Sequence, residues 1–243
     1  MKKMFKKSLL LVAALICGQA SAGTETWNLG NAAFGGFGNS NYLSMNVDGI
    51  GLTITGWTDA TNQGGNLTQS QLGRWSGGVG IENLYNPEHG VDNNNGFDAL
   101  LLSFDTAVSL DGVSISWHQG DADMSFAAYT GGGSVNSLAN LSWSQFLSNG
   151  WVSQGDYIGT ASSAYRSVSS SVTSKYWLVG AYNPAFGGSA NYASGKDYMK
   201  ISGLYTQSPD TPDGNPGTSI PEPTAILLFA LGLLCLRRTN KVS

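Results

Sequence analysis

Val113-Ser114-Ile115-Ser116-Trp117-His118 alternates apolar and polar residues without a break. Side chains of an extended chain point to opposite faces in turn, so this spacing predicts a strand with one buried face. Leu52 and Ile54 stand against Thr53 and Thr55 in the same way, and Met124, Phe126 and Ala128 against Ser125, Ala127 and Tyr129. Ala99–Phe104 is more continuously apolar, and Tyr176–Tyr182 and Tyr198–Tyr205 read as late strands, the last closing the sheet. Asp48-Gly49 and Asp111-Gly112, each between two such runs, have the chemistry of tight hairpin turns. Many short strands joined by Gly- and Asn-rich loops predict an all-β fold, an antiparallel two-sheet sandwich of jelly-roll type. One short helix is expected at Ser142–Ser148, with Ser142 as its N-cap.

The two ends have a different chemistry. Lys2, Lys3, Lys6 and Lys7 precede the apolar run Leu9–Cys17, and Ala20-Ser21-Ala22 offers the small residues a signal peptidase needs. Residues 1–22 therefore read as a cleavable signal peptide, with Ala20 and Ala22 at the cleavage site. Ile16 before Cys17 argues against a lipoprotein signal, which wants a small residue there. Residues 23–206 are long enough for one β-domain. Residues 207–219, with three prolines and no apolar periodicity, read as a disordered, partly extended linker.

Beyond the linker stand Pro221-Glu222-Pro223, an apolar helix-prone run over 224–236, and Arg237-Arg238. The prolines hold the motif extended, where a protease can read it. A helix over the apolar run covers about 20 Å, short of a hydrocarbon core of roughly 30 Å, so it is a transient membrane anchor. The basic residues hold the extreme C-terminus in the cytoplasm and leave the body outside.

Both cysteines, Cys17 and Cys235, lie in the two end segments, so the processed body has no disulfide and no thiolate chemistry. Between Gly23 and Ser219 five basic residues face 15 acids, a formal charge of about −10. Such a body repels nucleic acid and anionic lipid, and suits divalent cations.

Asp92, Asn94, Asp98, Asp121 and Asp123 are hard oxygen donors on loops flanking two expected strands. If the loops adjoin, they supply several of the oxygens that calcium prefers. The Asp92 loop is not an EF-hand: Gly96 falls one position early and no Glu occupies the twelfth. The same residues also serve simply as turn formers that cap backbone amides at strand ends. His89 and His118, the two histidines, would have to meet to act together. No metalloprotease, serine-hydrolase or phosphate-loop motif is present, and a non-catalytic protein is expected. Trp57, Trp75, Trp143, Trp151 and Tyr129 either offer flat faces to sugars or fill the core of a cysteine-free fold.

The C-terminal arrangement resembles the PEP-CTERM sorting signal of Gram-negative bacteria, whose substrates a membrane protease, exosortase, processes. Pro221, Glu222, Pro223, Arg237 and Arg238 match in order and spacing, with Ile220 where a valine is usual. Blocks between Asn83 and Leu204, among them Pro87–Asp105, Gly120–Met124, Tyr176–Asn183 and Asp197–Ile201, look like a family of exosortase-dependent surface proteins. These resemblances imply an inner-membrane intermediate, then delivery to the cell surface or extracellular matrix, in association with exopolysaccharide and biofilm. Two other functions stay open: a calcium-assisted carbohydrate-binding module, and a secreted glycan hydrolase.

Overall fold

Asp48 and Gly49 have φ angles of 51° and 85°. That left-handed pair is what a two-residue turn needs to match the twist of its flanking strands. It joins β3 (Leu43–Val47) to β4 (Ile50–Thr58), with Val47 opposite Ile50 and Leu43 opposite Ile54, as the sequence predicts. The computed structural model describes residues 23–59, 65–82, 89–159, 165–168, 170–187 and 197–208. The expected signal peptide with Ala20 and Ala22, residues 209–219 of the linker, and the tail with Pro221, Glu222, Pro223, Arg237, Arg238 and the 224–236 helix lie outside the described residues. Among those described, no helix is long and apolar enough to cross a membrane.

The second Asp-Gly does not turn. Asp111 and Gly112 lie inside β8 (Asp98–Gly120), a strand of 23 residues. Gly112 is paired on both edges, with Tyr205 of β13 (Asp197–Ser208) and Ser167 of β11 (Tyr165–Ser167). The Tyr165 ring occupies the space a Cβ at position 112 would need, and its hydroxyl donates to the Asp111 carbonyl at 3.1 Å. Glycine is here for the close approach of an aromatic ring.

β8 changes partners along its length. Its first part pairs with β4 and with β12 (Ser174–Ala181), its second with β13 and β11. β9 (Met124–Tyr129) adds to β12, and β10 (Trp151–Tyr157) to β9. β5 (Thr68–Trp75) also changes partners: Thr68–Ser70 pair with β4, and Gln71–Trp75 with β6 (Gly78–Glu82). β6 then meets β13 through Val79 and Ile201. β1 (Gly23–Asn28) and β7 (Val91–Asp92) flank β13, and β2 (Gly38–Ser40) flanks β5. The ladder β13-β6-β5-β4-β8 returns to β13, so the strands form one connected, barrel-like sheet. Two separate sheets are avoided because β5 and β8 are long enough to belong to both faces.

The interior holds most of the alternating residues that the sequence assigns to it, but Trp117, the last of the Val113–Trp117 row, is half-buried against Lys200 instead. Leu52, Ile54, Val113, Ile115, Met124, Phe126 and Ala128 join Trp27, Phe104 and Trp177 in one cluster. A second cluster covers the outer side of β4, β8, β9 and β12. It is built from Trp57, Leu101, Ala127, Trp143, Phe146, Trp151, Leu178 and Phe186. β9 is therefore buried on both faces, against the expectation of one. The helix expected at Ser142–Ser148 is instead two 3-10 turns, Trp143–Gln145 and Leu147–Asn149, entered where Gln145 Oε1 accepts the Ser142 N–H at 3.1 Å. The edge is tied by side chains: Trp27 Nε1 donates to Thr206 Oγ1 at 2.9 Å, and Thr206 and Ser208 donate to the buried Glu25 at 2.9 and 2.7 Å.

The seam where β6 meets β13 leaves no room for a side chain at Gly78. Its φ is 112°, and a Cβ there would run into the Ile201 carbonyl. Gly78→Ala is expected to cost about 2–4 kcal/mol. For a domain of this size that lowers Tm by roughly 5 °C or more. Gly132, which faces open space, should accept alanine without change. Equal thermal unfolding of the two variants would show that this seam is not closed as described.

Candidate acidic site

Asp197 is the first residue of β13, and with Met199 and Ile201 it occupies the alternate, fully buried positions of that strand. A carboxylate in an apolar row needs partners. Asp197 Oδ1 accepts the Asp123 N–H at 2.9 Å, and Oδ2 accepts from Asn93 Nδ2 at 2.5 Å. The Asp197 N–H returns a bond to Asn93 Oδ1 at 3.1 Å, and Asn93 Nδ2 also reaches the Tyr182 carbonyl at 3.1 Å. Asp121 pairs with Asp197 in an isolated parallel bridge just beyond the end of β8. The carboxylates of Asp121, Asp123 and Asp197 each offer an oxygen within 4.8 Å of the others.

The expected set of Asp92, Asn94, Asp98, Asp121 and Asp123 is thus divided. Asp121 and Asp123 come together around Asp197, which the sequence reading missed. The alternation Asp197, Met199, Ile201 was the signal that could have placed its carboxylate on the buried face. Asp92, at the end of β7, and Asp98, at the start of β8, form a neighbouring buried pair. Asp92 Oδ1 caps the Asn94 N–H at 2.9 Å, so at this position the turn-forming role is visible. Asn93, rather than Asn94, reaches the three-carboxylate cluster.

Burial dominates the electrostatics. It pushes Asp197 up from 3.8 to about 8, reinforced by the hydrogen bond it shares with Asp121 and by the charges of Asp121 and Asp123. Burial likewise lifts Asp92 to about 7, against the pull of the Asn94 amide. Asp98 is held well above the ordinary carboxylate range by burial and then by the Asp92 charge. Asp123 is raised by burial, and the Gly159 N–H and the positive charge of Arg166 oppose that rise. Three carboxylates so close together favour the uptake of positive charge, and either a proton or a hard cation bound by oxygen could supply it.

The histidines do not act together here. His89 Nδ1 lies 2.8 Å from Glu82 Oε1 and its ring stacks on Trp75, whereas His118 Nδ1 faces the Gly120 carbonyl at 3.1 Å. Of the aromatic residues considered for sugars, Trp57, Trp143 and Trp151 are buried in the second cluster. Trp75 is half-buried, and Lys200 Nζ lies between it and Trp117, 5.0 and 4.8 Å from the two ring centroids.

An acidic, cysteine-free β-body with no assembled nucleophile and base among these groups is what the chain presents ahead of its tail. Residues 219–241 match the family model of the PEP-CTERM protein-sorting motif, so the chain carries that sorting signal. The motif implies export through the membrane to the cell surface, with an exosortase as the processing partner. No curated protein and no solved structure matches the chain.

The proton on Asp197 has a measurable consequence. The unfolded chain releases it near pH 4 while the folded protein holds it to about pH 8. Across that window the native state binds more protons, so this contribution to stability is present at acid pH and lost as the pH rises. Asp121→Asn places an amide donor against Asp197 and removes the need for the shared proton. In chelator-treated protein the fall of Tm between about pH 5 and 8 should become shallower, with Tm at pH 8 raised by about 3 °C. An unchanged slope would mean that Asp121 does not share that proton.

Proposed function

We propose that this is a non-catalytic surface or matrix protein, exported after cleavage next to Ala22, processed by exosortase at Pro221-Glu222-Pro223, and delivered to the exopolysaccharide or biofilm layer. The observation that carries the reading is the sorting motif at 219–241. A formal charge that keeps the domain off anionic lipid and nucleic acid supports it. Intact-mass and C-terminal peptide analysis of protein from the native host tests it, together with fractionation of cells, matrix and medium. The expected species begins at Gly23, ends near Pro223 and co-fractionates with matrix polysaccharide. An intact tail that retains Cys235 would overturn the processing step, and recovery only in the medium would overturn matrix association.

A second reading, a calcium-assisted carbohydrate-binding module, is favoured by the convergence of Asp121, Asp123 and Asp197. On this reading millimolar calcium at about pH 8 raises Tm, because the ion binds the folded state alone. Asp121→Asn should abolish the rise, and a wild-type Tm indifferent to calcium would remove the reading.

A further inference from the structure

The outer face of the β3-β4-β8-β12 ladder is only partly covered. Toward the Trp57 and Leu101 end it carries the second apolar cluster, with Leu138, Trp143 and Phe146 packed over it. Beyond that cover the outward positions change to hydroxyls. Ser44 is opposite Thr53, Thr53 opposite Ser103, and Ser103 opposite Tyr176, so four adjacent strands contribute one row of hydroxyl side chains. The row, together with Asp105 and Asn136, lines a groove of about 540 Å³. That volume is ordinary for a ligand site.

The groove is built rather than incidental. Gly51 leaves the space that Asp105 uses, since a Cβ at that position would stand 2.8 Å from Asp105 Oδ2. Tyr176 is half-buried and its ring is held edge-on by Tyr129, with centroids 6.1 Å apart, which fixes one aromatic face at the groove margin. The polar lining turns few of its groups inward. Ser44 and Thr53 share one long contact of 3.4 Å, whereas the side chains of Ser103, Asp105 and Asn136 and the Tyr176 hydroxyl have no hydrogen-bond partner among the described residues.

The lining selects its occupant by charge. Among the described residues no lysine, arginine or histidine lines the groove, and Asp105 is its one carboxyl side chain. A polyanion would meet Asp105 and a body of about −10 formal charge, with no cation to receive it. Hydroxyls and an amide that both give and take hydrogen bonds, a carboxylate that accepts them, and an aromatic face that accepts C–H groups are together complementary to a pyranose. We propose that this groove binds a segment of neutral polysaccharide. The proposal names the ligand class for the matrix association above and rests on that reading.

Affinity electrophoresis of the full chain in detergent tests it, with hydroxyethyl cellulose, dextran and galactomannan as neutral probes and alginate as the anionic one. The wild-type protein should be retarded by at least one neutral polymer and not by alginate. Tyr176→Ala and Asp105→Ala should each weaken that retardation about tenfold. Asp105 is exposed and outside both cores, so its variant keeps the test valid should Tyr176→Ala fail to fold. Val152→Ala, at an exposed strand position outside the groove, should retain wild-type mobility. Retardation by alginate alone, by none of the polymers, or equally in wild type and Asp105→Ala overturns the groove. Matrix co-fractionation without neutral-polymer binding would sink the groove and leave the matrix reading standing; the opposite pattern would sink the matrix reading alone.

Discussion

The exchange of partners by β8 near Val108 is the constraint on which the fold depends. Up to that point its edge is taken by β12, with Ser174 opposite Val108; immediately after it β13 takes over, with Gln207 opposite Ser109. A strand that loses one neighbour leaves carbonyls to satisfy, and in a dry core each would be costly. Trp177 meets that need: its Nε1 donates at 3.1 Å to both the Val108 and Ser174 carbonyls, while its ring is wholly buried in the main cluster. One indole thus fills the interior and caps the point where the ladder divides. With that junction fixed, β4 and β13 are both attached to the same strand, and β5 and β6 complete the ring between them.

The contrast between the two Asp-Gly pairs shows what local sequence can say. Both are flanked by apolar runs, and the dipeptide chemistry is the same. Asp48-Gly49 turns because each flanking strand finds its partner across the turn. Asp111-Gly112 stays extended because Tyr205 and Ser167, far along the chain, occupy both edges. That competition is tertiary and leaves no trace in the dipeptide. Period-two alternation was a dependable guide to the interior, since one-residue shifts would expose a whole face. It failed for β9, whose outward Ala127 is covered by a loop that no strand pattern announces.

The acidic cluster was legible in part for a related reason. Asp121 and Asp123 stand out as oxygen donors beside a strand, and proximity in sequence brings them together. Asp197 lies 74 residues beyond Asp123 and joins them only because β13 runs antiparallel to β8. Choosing Asn93 over Asn94 depends on which of two adjacent amides faces inward after β7, and the Asn-Asn-Asn run carries no such signal. The aromatic residues were ambiguous because the same ring serves core and ligand. Here the second core takes Trp57, Trp143 and Trp151, and Lys200 fills the space between Trp75 and Trp117.

A domain without disulfides has burial as its main source of stability, and this one buries both sides of part of its sheet. The consequence for function is geometric. Where Trp143 and Phe146 cover the outer face, that face is lost to ligands and becomes a rigid backing for the strands beneath. Where the cover stops, the same strands turn hydroxyls outward in register, and Asn136, from the segment that supplies Leu138 to the cover, joins the lining. The groove is therefore held by strands buried on their other side and continuous with a packed core, so a ligand there would meet side chains already positioned. Positioning of this kind lowers the entropy lost on binding, which matters most for weak, repeated contacts along a polymer.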